Sequence, residues 1–152
     1  METKKGLVSN LRSSVDVSGG NYGIFVNTAQ VTLFSIDDMP VMMVNKKPPV
    51  IQNGNTVIVS GEIDNGQLIA YAYQNLSTSS KGNKGYMRRF IAFILLMLLG
   101  LSLWFFLAED LGYGLKIIST IFIAFALYYL YIGNKILNAV KHIDYINLED
   151  KQ

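Results

Sequence analysis

The organisation of the chain is decided by residues 86–116, YMRRFIAFILLMLLGLSLWFFLAEDLGYGLK. From Phe90 to Ala108 there are 19 consecutive residues without a charge, and a helix of that length matches the hydrocarbon thickness of a bilayer, about 30 Å. A buried core helix would carry a polar stripe, and a signal peptide would be shorter and N-terminal. The pattern therefore predicts a transmembrane helix.

A second apolar run, LKIISTIFIAFALYYLYI, covers residues 115–132. Its only charge, Lys116, is near one end, where a lysine can extend its ammonium group to the interface. Three tyrosines near the other end match an interfacial aromatic belt. The two runs predict a helical hairpin with spans over about 89–108 and 115–133, joined by the turn EDLGYG. The alternative is a single span followed by a buried soluble helix.

The charges beside the two runs predict an orientation. Basic residues precede the first span, whereas Glu109 and Asp110 are in the connector. Because basic residues remain on the cytoplasmic side, we expect both termini in the cytoplasm and the protein in the inner membrane of a prokaryotic-type cell. The same basic cluster would attract anionic lipid. Its members are Lys81, Lys84, Arg88 and Arg89.

The first 75 residues show the alternation of a small β domain. AQVTLFSI and VMMVN are predicted strands that flank the turn DDMP. Further along, Thr56–Ile63 and Gln67–Tyr73 alternate on either side of DNG, a strong hairpin signal. The alternation places three residues on one face of each strand: Val57, Val59 and Ile63 on the first, and Leu68, Ala70 and Ala72 on the second.

The segment NGNTVIVSGEIDNGQLIAYAYQN (53–75) resembles the last two strands of an OB-fold barrel, with Gly54, Gly61 and Gly66 at the turns and at the point of curvature. Strands near 7–14, 30–36 and 41–45 would supply the other three. OB-folds often carry a helix between their third and fourth strands, but KKPPVIQNGN is too short for one. A helix-less OB-like barrel and a small β sandwich both stay open. The layout is similar to that of NfeD-type membrane proteins in reverse order, so this resemblance implies neither residues nor function.

The predicted fold class is a mainly β N-terminal domain, an OB-like small barrel or a β sandwich, followed by an α-helical transmembrane hairpin. Four segments make up this organisation. The N-terminus has no apolar stretch of signal-peptide length, so we expect no cleaved leader. The segments are a cytoplasmic OB-like domain (1–75), a flexible basic linker (76–88), the hairpin (89–133) and a cytoplasmic amphipathic tail (134–152).

The sequence carries no recognisable catalytic chemistry. It has no cysteine, and its one histidine, His142, suits a solvated helix face better than a metal site. Neither a nucleophile elbow nor a phosphate-binding loop occurs. We therefore predict no enzyme activity, no catalytic residue, no cofactor and no metal.

Two further residue sets are candidates for contacts. Small residues that permit close helix packing, within the hairpin or between copies, are Gly100, Ser102, Ser119, Ala124 and Ala126. Tyr71 and Tyr73 are candidate binding aromatics, together with Tyr22, Phe25 and Phe34. Through residue 80 there are five basic and six acidic residues, a balance that does not favour nucleic acid.

These observations favour a membrane-anchored binding or scaffold subunit. It would present an OB-like domain to the cytoplasm, associate with the lipid bilayer and a protein partner, and form a homo-oligomer or a larger complex. One alternative is an oligomeric membrane-perturbing or pore-forming effector with a ligand-sensing β domain. A second is a membrane-tethered nucleic-acid-binding module.

Overall fold

The computed structural model describes residues 1–19, 26–107 and 113–149. They divide into two compact units: the described residues of 1–84 together with 138–149, and the described residues of 85–137. The elements of the first unit are six strands and the end of the last helix, and the second unit is helical. In chain order the elements are β1 (Glu2–Gly19), β2 (Val26–Ile36), β3 (Met39–Asn45), β4 (Thr56–Asp64), β5 (Gln67–Asn75), β6 (Ser80–Asn83), α1 (Tyr86–Ser102), a π-helical turn (Leu103–Leu107) and α2 (Tyr113–Glu149).

Five strands close into a barrel. β1 pairs with both β2 and β4, β2 with β3, and β4 with β5, all antiparallel. A short parallel pairing of β3 with β5, from Val41–Leu68 to Met43–Ala70, closes the circle. The predicted mainly β domain is confirmed. The sequence is compatible with a barrel or with a β sandwich, and the structure is a closed barrel.

The predicted turns between strands are confirmed. Asp37 and Asp38 connect β2 to β3 with positive φ angles of 46° and 66°. Asn65 and Gly66, with φ of 49° and 77°, connect β4 to β5. Two successive left-handed residues match the twist of a hairpin, and Asn, Asp and Gly adopt that conformation most easily.

A single apolar cluster fills the barrel, with Leu11 and Met39 packed at its margin. Its members come from β1 to β5 and from the β3–β4 connection, so every strand of the barrel contributes to one core. Burial of these side chains supplies the main favourable term for folding of the barrel. The buried residues are Val8, Phe34, Ile36, Val41, Met43, Ile51, Val57, Val59, Leu68, Ala70 and Tyr73.

A bulge in β5 changes which side chains face the barrel. The β4–β5 register jumps from Ser60–Ala72 to Gly61–Ala70, which leaves one extra residue in β5. An extra residue reverses the alternation of the strand beyond it. Leu68 and Ala70 therefore lie in the core, whereas Ala72 lies in a second cluster outside the barrel. The prediction that these three residues share one face is wrong for this reason.

The second cluster joins the outside of the barrel to the end of α2. Ile58 of β4 and Ala72 of β5 pack against Ala139 and Ile143, and all four are buried. Partly buried residues around them are Tyr71, Leu76, Val140 and Ile146. The last segment of α2, residues 138–149, thus belongs to the barrel unit.

The segment predicted as a flexible linker, 76–88, contains the strand β6. β6 pairs antiparallel with the second half of β5, from Ala72–Asn83 to Asn75–Ser80. β3 takes the first half of the same β5 edge, so the two strands share it end to end. The polar sequence SKGN contains no local signal for a strand. These residues form a strand because they pair with the edge of β5.

The helical unit is a pair of apolar helices with little burial. Both helices are long and apolar enough to cross a membrane. Only 6% of the residues in the most apolar stretch of α1, and 11% in that of α2, are buried, so neither resembles the core helix of a soluble domain. The second predicted span, 115–133, lies within α2, whereas Ala108 and most of the predicted connector, with Glu109 and Asp110, lie outside the described residues.

Candidate functional site

The outer surface of the barrel has two faces of different character. Side chains that alternate with core residues must point outward, because successive residues of a strand face opposite sides. Outward residues of β4 and β5 form a covered face, on which Ile58 and Ala72 pack against the end of α2. Its buried residues are Ile58, Ser60, Ala72 and Gln74. Outward residues of β2, β3 and β5 form an open face: Val31, Leu33, Met42, Val44 and Ile69.

The open face is a continuous apolar strip across three strands. Leu33 is opposite Met42, and Met42 is in turn opposite Ile69 across the barrel closure. Val31 and Val44 form the next pair. Leu33 is 38% exposed and the other four residues are half-buried. Such a strip can bind an apolar partner surface, and a small contact area suits a modest affinity.

The rim of the open face carries charges of both signs, since Glu62 of β4 is opposite Ile69 and three basic residues lie beside the other strands. Arg12 of β1 is opposite Leu33, and Lys46 and Lys47 follow directly after β3. All three side chains are exposed. An apolar centre with a rim of mixed charge favours a partner that is apolar at the centre of the contact and complementary in charge around it.

The covered face is tied down by polar contacts as well as by apolar ones. Lys81 of β6 forms an ion pair with Asp144 of α2, with a Nζ–Oδ1 distance of 2.8 Å. Thr3 donates a hydrogen bond of 3.0 Å to the buried Ser60 hydroxyl. The Gln74 Oε1 atom is buried and has no hydrogen-bond partner among the described residues. This face is therefore a structural junction in the present fold.

The four residues of the predicted basic cluster divide between the two units. In the barrel unit, Lys81 pairs with Asp144, and the Lys84 ammonium lies 4.9 Å from the centre of the Tyr71 ring. In the helical unit, the Arg89 guanidinium lies 5.4 Å from the centre of the Tyr129 ring, and Arg88 is exposed. These cation–π contacts hold two of the charges against aromatic surface.

The predicted helix-packing residues also divide into two groups. Gly100, Ser119 and Ala126 are buried within the hairpin. The Ser119 hydroxyl donates to the carbonyl oxygen of Gly100, and a Cβ on Gly100 would lie 2.8 Å from Cγ1 of Ile123. Ser102 is exposed and donates to the Leu99 carbonyl oxygen, and Ala124 lines an open apolar groove with Ile121, Phe125 and Tyr128.

The candidate aromatics occupy different environments. Tyr73 is 6% exposed, lies in the barrel core, and its hydroxyl accepts a hydrogen bond of 3.1 Å from the Val50 amide. Phe34 is also a core residue. Tyr71 is half-buried beside the covered face and donates a hydrogen bond of 2.9 Å to Glu62. Tyr22 and Phe25 lie outside the described residues.

Asn75 organises a polar network that the sequence analysis missed. Its side chain is fully buried, and its amide nitrogen donates to the Val50 carbonyl at 2.8 Å and to Asn55 Oδ1 at 2.7 Å. Its oxygen accepts from the Ser77 amide at 3.0 Å. A buried amide whose donors and acceptor are all hydrogen-bonded holds its partner segments in place. Here those segments are the β3–β4 and β5–β6 connections. No local sequence signal marks this asparagine among its neighbours.

His142 is exposed on α2. Within residues 1–19, 26–107 and 113–149, no group of three or more histidine, aspartate or glutamate side chains is arranged to hold a metal ion. Comparison of the chain with protein-family models, with curated proteins and with solved structures finds no match in any of the three.

Proposed function

We propose that this chain is a membrane-anchored binding subunit whose helical hairpin lies in a lipid bilayer and whose barrel binds a protein partner in the adjacent aqueous phase. The observation that carries the proposal is the exposure of the hairpin. Side chains such as Leu95, Leu98, Phe105 and Ile117 are each more than half exposed. Apolar surface on this scale is stable against lipid and not against water.

The barrel unit itself supports a two-crossing topology. The segments that precede and follow the hairpin both belong to one compact unit, which supports two crossings. We therefore propose that both segments lie on the same side of the membrane. The basic residues that precede α1 favour the cytoplasm for that side, in the inner membrane of a prokaryotic-type cell.

The binding role rests on the open face. The order in which strands neighbour each other around the barrel, β1-β2-β3-β5-β4 and back to β1, supports the OB-like resemblance. We place partner binding at the strip centred on Leu33 and Met42 and assign the partner an apolar surface whose charges complement the mixed rim. None of the five residues of the strip is aromatic, which argues against stacking of nucleic-acid bases there. We also propose that copies of the chain associate with each other.

Anchoring is tested with single cysteines in a chain that has none of its own. In intact cells, Gly112→Cys should react with an impermeant thiol reagent, whereas Ser80→Cys and Gln152→Cys should react only after the membrane is opened. The protein should stay in the membrane fraction after alkaline extraction. Release by alkali would contradict anchoring, and labelling of Ser80→Cys from outside would contradict the orientation.

Binding is tested by purification of tagged full-length protein from detergent extracts. Leu33→Lys with Met42→Lys should remove a specific co-purifying protein, while the matched control Val50→Lys, on an exposed loop residue, should retain it. Equal recovery with both variants would contradict the open face as the binding surface. Loss of the membrane potential on expression would instead favour a pore-forming role.

A further inference from the structure

β1 extends past the barrel with an edge that no described strand occupies. β4 pairs with β1 only over Glu2–Leu7, whereas β2 pairs with it as far as Gly19. The next part of the edge is closed by the β3–β4 loop, because the amide of Val8 bonds to the Asn55 carbonyl and the amide of Leu11 bonds to Asn53 Oδ1. From residue 12 to residue 19, one edge of β1 pairs with β2, and its other edge has no partner among the described residues.

This free edge has few of the features by which natural sheets block edge-to-edge pairing, since its only charges are those of Arg12 and Asp16. Residues 12–19, RSSVDVSG, contain no proline and no lysine, and the bulge in β1 falls before them, between Ser9 and Arg12. Edge strands without such protection pair readily with another strand. The side chains at residues 12–15 are exposed, so neither face of β1 is covered over these four residues.

We propose that the free edge of β1 pairs antiparallel with the same edge of a second copy of the chain. This inference deepens the proposed function, since it names the surface by which anchored copies associate. A two-fold axis makes such a contact self-complementary and closed, so that it yields a dimer and not an open fibre. The partner is a second copy because one short segment, with valines at alternate positions, can satisfy both sides of the ladder.

The length of the free edge and its charges fix one register. Centring the two-fold axis on Val15 pairs residues 12–18 of each copy and places the two Val15 residues opposite each other. Centring it on Ser14 would bring later residues of one copy opposite the part of the other copy's edge that already bonds to Asn53. Centring it on Asp16 would place two like charges opposite each other, which is unfavourable in a cross-strand pair. The Val15 register avoids the like-charge pair and brings only the last residue of β1, Gly19, opposite the bonded amide of Leu11. Val15 is 55% exposed in the single chain.

The register makes a sharp cross-linking prediction. Directly opposed residues in an antiparallel pair have Cα atoms within the disulfide range, whereas diagonal neighbours, at about 7–8 Å, lie beyond it. Under oxidation of the full-length protein in detergent, Val15→Cys should give roughly tenfold more covalent dimer than Ser14→Cys, since only the former opposes itself. Equal yields for the two variants would overturn the register and the proposal.

A second experiment measures the mass of the uncross-linked assembly by light scattering in detergent. Val15→Lys places two ammonium groups across the axis and should halve the protein mass of the complex, while the β-branched control Val15→Thr should leave it unchanged. Protease resistance of the barrel reports whether each variant is folded. An unchanged mass for Val15→Lys, or a wild-type chain that is monomeric in detergent, would overturn the proposal.

Membrane anchoring and pairing through the β1 edge can be contradicted independently of each other. Alkaline extraction of the same Val15→Cys cells reports anchoring independently of cross-linking. A protein that dimerises through Val15→Cys but leaves the membrane fraction contradicts anchoring alone. A protein that stays in the membrane as an oligomer but gives no Val15→Cys dimer contradicts the β1 edge alone.

Discussion

The barrel and the hairpin use similar apolar side chains in opposite ways. In the barrel, residues such as Leu68 and Val59 have no exposed surface, whereas in the hairpin Leu98 and Phe105 are 62% and 64% exposed. The barrel must exclude water from its centre to fold. The hairpin helices satisfy their backbone hydrogen bonds internally and expose apolar surface, as helices that are able to cross a membrane do. The contrast teaches that the same residue types can form a closed core in one region and an exposed apolar surface in another.

The largest effect is expected from truncation of a buried barrel residue. Leu68→Ala should lower the free energy of unfolding of the barrel by about 2–5 kcal/mol, because it leaves a cavity in a close-packed core. Leu98→Ala, the matched change on the exposed surface of α1, should alter the stability of the barrel by less than about 0.5 kcal/mol. Urea titration in detergent with protease probing of the barrel measures both. Similar losses would break the distinction between the two regions.

A charge at an exposed site should separate lipid from water. Leu98→Asp should raise the apparent free energy of membrane insertion of α1 by about 3 kcal/mol, because a carboxylate near the middle of a span is costly in hydrocarbon. Ile63→Asp, at the end of β4 with 50% exposure, should leave folding within about 0.5 kcal/mol of wild type. A glycosylation-based insertion assay measures the first and urea titration the second. Unimpaired insertion of Leu98→Asp would show that this surface does not face lipid.

Two buried glycines offer a smaller contrast. A Cβ on Gly61 would collide with the backbone carbonyl oxygen of Ile69, which cannot move without shifting β5. We expect Gly61→Ala to cost the barrel about 1–3 kcal/mol. In Gly100→Ala the nearest atom is Cγ1 of the Ile123 side chain at 2.8 Å, and alanine favours the helix, so the cost to the hairpin should be smaller, about 1 kcal/mol. Thermal unfolding in detergent compares them, and the reverse ranking would contradict this account.

The smallest effect concerns the ion pair on the covered face. Lys81 and Asp144 side chains are 56% and 50% exposed, so solvent screens their attraction. A double-mutant cycle with Lys81→Gln and Asp144→Asn should give a coupling free energy of about 0.2–1 kcal/mol, lower at high salt. A coupling well above this range would show that the pair, and not the apolar cluster of Ile58 and Ile143, holds the end of α2 to the barrel.

The sequence predicts the elements of this fold that depend on local pattern. The alternation on both sides of Asn65–Gly66 predicts β4 and β5, and the uncharged run from Phe90 predicts α1 as an apolar helix. Turn chemistry and hydrophobic period act within a few residues, so they can be seen in a single sequence.

Features that depend on residues far apart in the chain cannot be predicted from such local patterns. β6 is a strand only because the second half of the β5 edge is unoccupied by β3. Because of the bulge near Ala72, the Tyr73 side chain faces the core. The alternation of the strand alone predicts that this side chain faces outward. The open face at Leu33 and Met42 becomes visible only when the closure places Ile69 beside them. These contacts are set by the tertiary fold, which overrides local preference.

The packing of residues 138–149 on the barrel has a consequence for biosynthesis. Ala72 leaves the ribosome 67 residues before Ala139, its partner in the second cluster. At typical elongation rates of about 5–20 residues per second, the outer side of β4 and β5 stays uncovered for roughly 3–13 s. During that interval the nascent barrel exposes Ile58 while both helices of the hairpin are still being made. Maturation of the barrel is thus timed by translation of the hairpin, and a chain released early would present an adhesive sheet surface to chaperones and proteases.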